Sequence, residues 1–182
     1  MPKGYVWVES VVASNIKRYA SKGFSLAQPF LNSVWPACTW NMPPKSCTCD
    51  HRDSGNSPCI PCSITALGRF NPDRSAALIL FDLRLIIRFP PGSTIMICSG
   101  GMRHANTAIH EDDERGSFIQ YCAGGLSRHI EYGYRAGDIV PDKVVREVAA
   151  RSSERWAESL ELFSTPASLD SDRIQFQNRN NT

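Results

Sequence analysis

Apolar positions recur at helical spacing near both ends of the chain and at strand spacing through its middle. From Ser10 to Lys22, Val11, Val12, Ile16 and Tyr19 mark one helix face and Gly23 is placed to end it, so an N-terminal helix is expected. Pro29 to Pro44 is rich in aromatics and prolines, which suits a strand or two wrapped by loops. Residues 58–68 carry the β-favouring Ile60, Ile64 and Thr65, and "GRFNPDRS" then supplies the chemistry of a reversal. The most apolar run, "ALILFDLRLIIRF" at 77–89, breaks its pattern only at Asp82, Arg84 and Arg88. All three fall on one face of an extended chain, which predicts one long strand or two short ones. "PPGS" at 90–93 turns the chain into "TIMICS", Gly100-Gly101 turns it into "RHANTAI", and the charged tip "HEDDE" leads into "RGSFIQYCA". Short strands alternating with turns in this way predict an antiparallel sandwich or barrel. Beyond Gly124-Gly125 the period becomes helical again: His129 falls in a helix, and Val144, Val145, Val148, Trp156, Leu160 and Phe163 predict a C-terminal one. The closing "DSDRIQFQNRNNT" is polar and expected to fray.

The 182 residues suit one domain with a real core, taken as residues 1–163, followed by a polar, flexible tail at 164–182. With 20 basic against 18 acidic residues, no strong cationic field announces a nucleic-acid or membrane-surface binder. No run is long enough to span a membrane, and the start of the chain lacks the pattern of a secretory signal. Seven cysteines, an odd number, then favour reduced thiols and an intracellular protein of the cytoplasm or nucleus.

Chemistry concentrates at "CDHRDSGN". In a strand, His51 and Asp53 would project from the same face and aim a nitrogen and a carboxylate oxygen at one point. A third metal ligand must come from His104, His110 or His129, and His104 is best placed because it opens a strand directly after the glycine turn. Two imidazoles and one carboxylate leave one side of a metal open, as in non-haem Fe(II) oxygenases. Eleven residues on, Arg115 and Ser117 share a strand face, a fork and hydroxyl suited to holding a carboxylate.

The order H-x-D, distant His, R-x-S resembles that of the Fe(II)/2-oxoglutarate-dependent dioxygenases. "HRDSGN", "ALGRFNPDRSAALILFDLRLIIRFPPGSTIMI", "RHAN" and "ERGSFIQYCAGGL" further resemble dioxygenase-like domains of basidiomycete fungi whose motif order is that of the TET/JBP base oxygenases. The resemblance covers roughly residues 33–135, a domain-sized span. It implies a mainly β fold with flanking helices (α+β), specifically a double-stranded β-helix or jelly roll. It further implies Fe(II) on His51, Asp53 and His104, 2-oxoglutarate clamped by Arg115 and Ser117, O₂ as co-reactant, and hydroxylation of a C–H bond, with DNA or RNA as the substrate class. Asn56 matches a recurring asparagine of those domains. Two departures stand out. Ser75, Ala76 and Ala77 replace a usual Gly-Gly and are expected to narrow the pocket, and Gly100-Gly101 replaces bulkier residues and is expected to loosen the support behind His104.

Other readings of the same residues are a catalytically inactive jelly-roll binding domain, and a small interaction protein with zinc on Cys47, Cys49, Cys59 and Cys62. Cys98 and Cys122 read as small buried hydrophobes. Taken singly, His104 reads as a structural histidine and Arg115 as an exposed arginine paired with the acidic run before it.

Overall fold

The computed structural model describes residues 2–180. They form an α+β protein of antiparallel sheets and helices in two compact units, Pro29–Ala123 and a helical unit built from residues 2–28 and 124–180.

Within Pro29–Ala123 the strands are β1 (Ala37–Asn41), β2 (Cys62–Arg69), β3 (Leu78–Leu80), β4 (Leu85–Ile87), β5 (Thr94–Ile97), β6 (His104–Asn106) and β7 (Glu114–Tyr121). One sheet has the order β1-β7-β2-β5 and the other β4-β3-β6, every pairing being antiparallel. Alternation along β2 buries Cys62, Ile64 and Ala66. These pack with Ile97 of β5, Leu78 and Leu80 of β3, and Phe89 into one core shared by the two sheets. Each such aliphatic or aromatic side chain contributes about 1.5–3 kcal/mol on leaving water.

The run at 77–89 is two short strands rather than one long one. A tight turn at Phe81–Leu83 ends with Arg84 in the left-handed region (φ +55°), and the chain folds back so that Leu80 pairs with Leu85. The turn therefore breaks the single polar face expected for Asp82, Arg84 and Arg88, and the Asp82 carboxylate instead accepts a bond from the Arg103 backbone N–H at 2.7 Å.

The tip before β7 is built around Asp113, which is buried despite its acidic surroundings. Its carboxylate accepts bonds from Arg74 Nε (3.2 Å), Arg74 Nη2 (3.1 Å) and the Ser75 hydroxyl, and the Arg74 guanidinium, followed by the hydroxyl, holds its pKa down at about 2. A carboxylate whose folded pKa lies below its ordinary value of 3.8 adds stability above that value and loses it as pH falls toward 2. Asp113→Asn should accordingly flatten the acid limb of a stability-against-pH curve between about pH 4 and pH 2, read by urea melts. An unchanged limb would show that other carboxylates govern it.

In the helical unit, α1 (Pro2–Ala20) starts earlier than the periodicity from Ser10 suggests, because Pro2 is compatible with a first helical turn and Val8 joins Val11 and Val12 on the buried face. Gly23 (φ +83°) follows its end, with Phe24 N–H donating to Tyr19 O at 3.0 Å. His129 lies on α2 (Gly124–Glu131). The expected C-terminal helix is two, α3 (Asp142–Ala150) and α4 (Ser152–Glu161), parted at Arg151 just before Ser152 and Ser153, which are weak helix formers. The polar segment expected as a tail carries α5 (Leu169–Asn180), with Phe176 packed edge-on against Tyr5 at 5.0 Å. No helix among the described residues is long and apolar enough to cross a membrane.

Candidate metal centre and its cavity

The segment from Pro44 to Asp53 is not a strand, contrary to the expectation for H-x-D. It runs as a strap, bonded residue by residue to elements distant in the chain. Arg115 N–H donates to Pro44 O (2.7 Å), Ser46 N–H to Arg115 O (3.1 Å) and Asn106 N–H to Thr48 O (3.0 Å). His51 and His104 then exchange both backbone bonds, at 3.1 and 3.0 Å, in an isolated antiparallel bridge. The bridge sets their imidazoles side by side, with ring centroids 4.3 Å apart. Outside the bridge, Arg103 pairs with Asp50 and holds that carboxyl below its ordinary range, which ties together the neighbours of the two histidines.

Past His51 the strap turns. Asp53 N–H donates to Ser99 O (3.0 Å) and Asn56 N–H to Asp53 O (2.8 Å), so a turn rather than strand alternation brings the carboxylate back toward His51. Asn56 Nδ2 donates to Asp53 Oδ2 (3.3 Å) and to the Ser99 hydroxyl (3.2 Å), which steadies the carboxylate. Gly100 is a close-approach position: a Cβ there would lie 2.8 Å from Asn56 O. It thus lets the turn before His104 pack directly on the Asp53 loop, and the expected loosening is not seen. Nor do Ala76 and Ala77 line the cavity described below; Ala76 is in the core, held at φ +57° where glycine would be unstrained.

Both imidazoles use the same local device. His51 Nδ1 bonds to Cys49 O at 2.8 Å and His104 Nδ1 to Met102 O at 2.9 Å, each to the carbonyl two residues back. A carbonyl only accepts, so Nδ1 carries the proton in each ring, and a neutral ring then presents a lone pair at Nε2. His51 Nε2 lies 3.4 Å from Asp53 Oδ1, and one ligand atom from each of His51, Asp53 and His104 lies within 4.8 Å of the others. A lone pair facing a carboxylate oxygen at this distance repels it unless a proton or a metal cation stands between them. This donor set, oriented through its Nδ1 bonds, fits a divalent transition metal.

The three residues lie on the wall of a cavity of about 500 Å³ in this unit. Alternation on β7 sends Arg115, Ser117, Ile119 and Tyr121 into it, joined by Thr39 and Asn41 of β1, Ile64 of β2, Leu78 of β3 and Asn106 of β6. Arg115 is not the exposed, salt-bridged arginine of the simplest sequence reading. It is only 2% exposed and, among the described residues, pairs with no carboxylate. Nη1 donates to Ser46 O (2.8 Å), Nε has no partner, and burial pushes the guanidinium pKa down. Ser117 accepts from Asn41 Nδ2 (3.0 Å), which leaves its own proton free to donate. A buried cation without a counter-ion beside a free hydroxyl proton suits an incoming carboxylate.

The remaining candidates stand elsewhere. His110 sits in the charged tip and His129 in the helical unit, where its Nδ1 bonds to Arg135 O (3.1 Å). The zinc reading is not supported by placement. Cys47 and Cys49 are exposed while Cys59 and Cys62 are buried, and among the described residues no group of metal-ligating side chains includes a cysteine. Burial raises the Cys62 pKa and raises those of Cys98 and Cys122 to about 11, which keeps these thiols protonated at neutral pH. Sequence reasoning overlooked Asn41, Thr48 and Asn106; strand alternation signals Asn106, two residues after His104, and nothing local signals Thr48.

No protein-family model matches the chain, and no curated protein does. Among solved structures, that of NgTET1 in complex with 5mC DNA is similar over 52% of this chain at 19% identity, with a TM-score of 0.46. The chain spans 36% of the length of that one.

Proposed function

We propose that this protein is an Fe(II)- and 2-oxoglutarate-dependent dioxygenase that hydroxylates a C–H bond. One observation carries the reading: a His-Asp-His donor set shares a cavity with a buried guanidinium that lacks any anion. We read the two sheets as a short double-stranded β-helix, and Pro29–Ala123 as its catalytic part. The order of the motifs favours a modified base of DNA or RNA as substrate, although the fold alone would not choose one.

In this reading His51, Asp53 and His104 hold the metal, and their Nδ1 and Asn56 bonds keep the ligand atoms aimed before it arrives. When bound together, the metal and the 2-oxo acid supply O₂ activation coupled to oxidative decarboxylation, giving succinate and CO₂. Arg115 takes the far carboxylate of the diacid through a charge-assisted bond and Ser117 adds its hydroxyl proton. Ile64, Leu78 and Ile119 line the cavity with apolar surface that excludes water from the reacting groups.

The test is anaerobic titration with Fe(II), followed by succinate release from 2-oxoglutarate under air, which needs no knowledge of the substrate. Stoichiometric Fe(II) binding with succinate formation is expected. Failure to bind Fe(II) would remove the proposal, and binding of metal and diacid without succinate would favour a binding domain that no longer turns over.

A further inference from the structure

Among the described residues, three buried side-chain polar atoms have no hydrogen-bond partner: Asn106 Nδ2, Arg115 Nε and Ser164 Oγ. Ser164 lies in the helical unit. The other two are both N–H donors, and both belong to walls of the one cavity. A buried donor left unpaired is costly, so two of them on residues of one cavity wall suit a site that takes acceptor oxygens.

Asn106 is held for such a task. It stands two residues after His104 on β6, and the strand's alternation gives the two side chains one face. Its backbone N–H donates to Thr48 O, and its side-chain Oδ1 accepts from the Thr48 hydroxyl at 2.9 Å, so the strap fixes the amide while leaving Nδ2 unused.

We propose that Asn106 Nδ2 is a second anchor for the anionic co-substrate, donating to one of its carboxylate oxygens alongside Arg115. The inference rests on the reading of the cavity as a 2-oxo-acid site and adds a residue that sets affinity and orientation there. The ligand class follows from the donors: an acceptor-only dianion, here a short-chain 2-oxo diacid. Asn106→Ala removes the donor. Asn106→Asp keeps the acceptor that Thr48 uses and puts a second acceptor where the donor stood.

The experiment is calorimetric titration of 2-oxoglutarate into the metal-free protein, with Fe(II) affinity and melting temperature measured in parallel. Asn106→Ala should weaken diacid binding about tenfold or more, as loss of a hydrogen bond to a charged group implies, and Asn106→Asp should weaken it further. Fe(II) affinity should stay at the wild-type value in both. A merely structural asparagine would instead disturb His104 and lower Fe(II) affinity together with diacid affinity, and that outcome overturns the proposal. So does wild-type diacid affinity in either folded variant, which leaves the function itself standing. If the wild-type protein takes up no 2-oxoglutarate with or without Fe(II), the reading of the cavity falls and this inference with it.

Discussion

Asp53→Ala is expected to abolish Fe(II) binding while leaving the metal-free protein as stable as before. Asp53 is the one anionic member of the donor set, and loss of even the partners that orient metal ligands costs about 10- to 100-fold in affinity, so removal of a ligand should exceed that range. Stability should not follow. Asp53 is a third exposed, and its oxygen lies 3.4 Å from His51 Nε2, a solvent-reached pair of the kind that contributes little to stability. Asn56 loses one acceptor and keeps the Ser99 hydroxyl. Competition with a chromophoric chelator reads the affinity, and a thermal melt reads the fold. Tight Fe(II) binding by the variant would remove Asp53 from the ligand set. A large drop in melting temperature would instead give it a structural role.

Gly68→Ala should damage the fold more than any other single methyl. Gly68 lies on β2 opposite Arg115 of β7, at φ +112°, and a Cβ there would fall 2.2 Å from the Glu114 carbonyl oxygen. The obstacle is backbone of the neighbouring central strand, so no side chain can swing aside. Backbone strain alone costs about 1–3 kcal/mol. Prising the strands apart at that point adds to it, and a total loss above about 3 kcal/mol is expected. A domain whose whole stability is about 5–15 kcal/mol would then be close to unfolding. Urea denaturation measures the loss. A variant within about 1 kcal/mol of wild type would show that β2 and β7 do not pair in this register.

Where local chemistry decides, the sequence was readable. Gly23 ends α1, "PPGS" turns with Gly92 at φ +80°, and the alternation of Arg115, Ser117, Ile119 and Tyr121 announces the cavity face of β7. It was opaque where long-range bonds decide. Nothing in "PKSCTCDHRD" marks a strap, since its bonds run to Ser99, His104, Asn106 and Arg115, some fifty to seventy positions away. The pattern at 77–89 leaves one strand or two open because Arg84 adopts a left-handed turn conformation without being glycine or asparagine. Only the clamp reading, not the run "EDDE" beside it, points to a buried Arg115, because Asp113 is turned away to Arg74 and Ser75. The helix boundaries slipped at Pro2, where packing of Val8 extends the buried face, and at Arg151, where two serines follow.

Among the described residues, the strap from Pro44 to Asp53 is bonded both to the strand that bears Arg115 and to the strand that bears His104. A guest lodged against Arg115 would bear on the strap at Ser46, and a cation on His51 would bear on its far end. On the proposed reading both events act on one strap, and by reciprocity any factor by which one changes the affinity of the other is returned in full. Diacid affinity measured with and without Fe(II) would read that link through ten residues of irregular backbone.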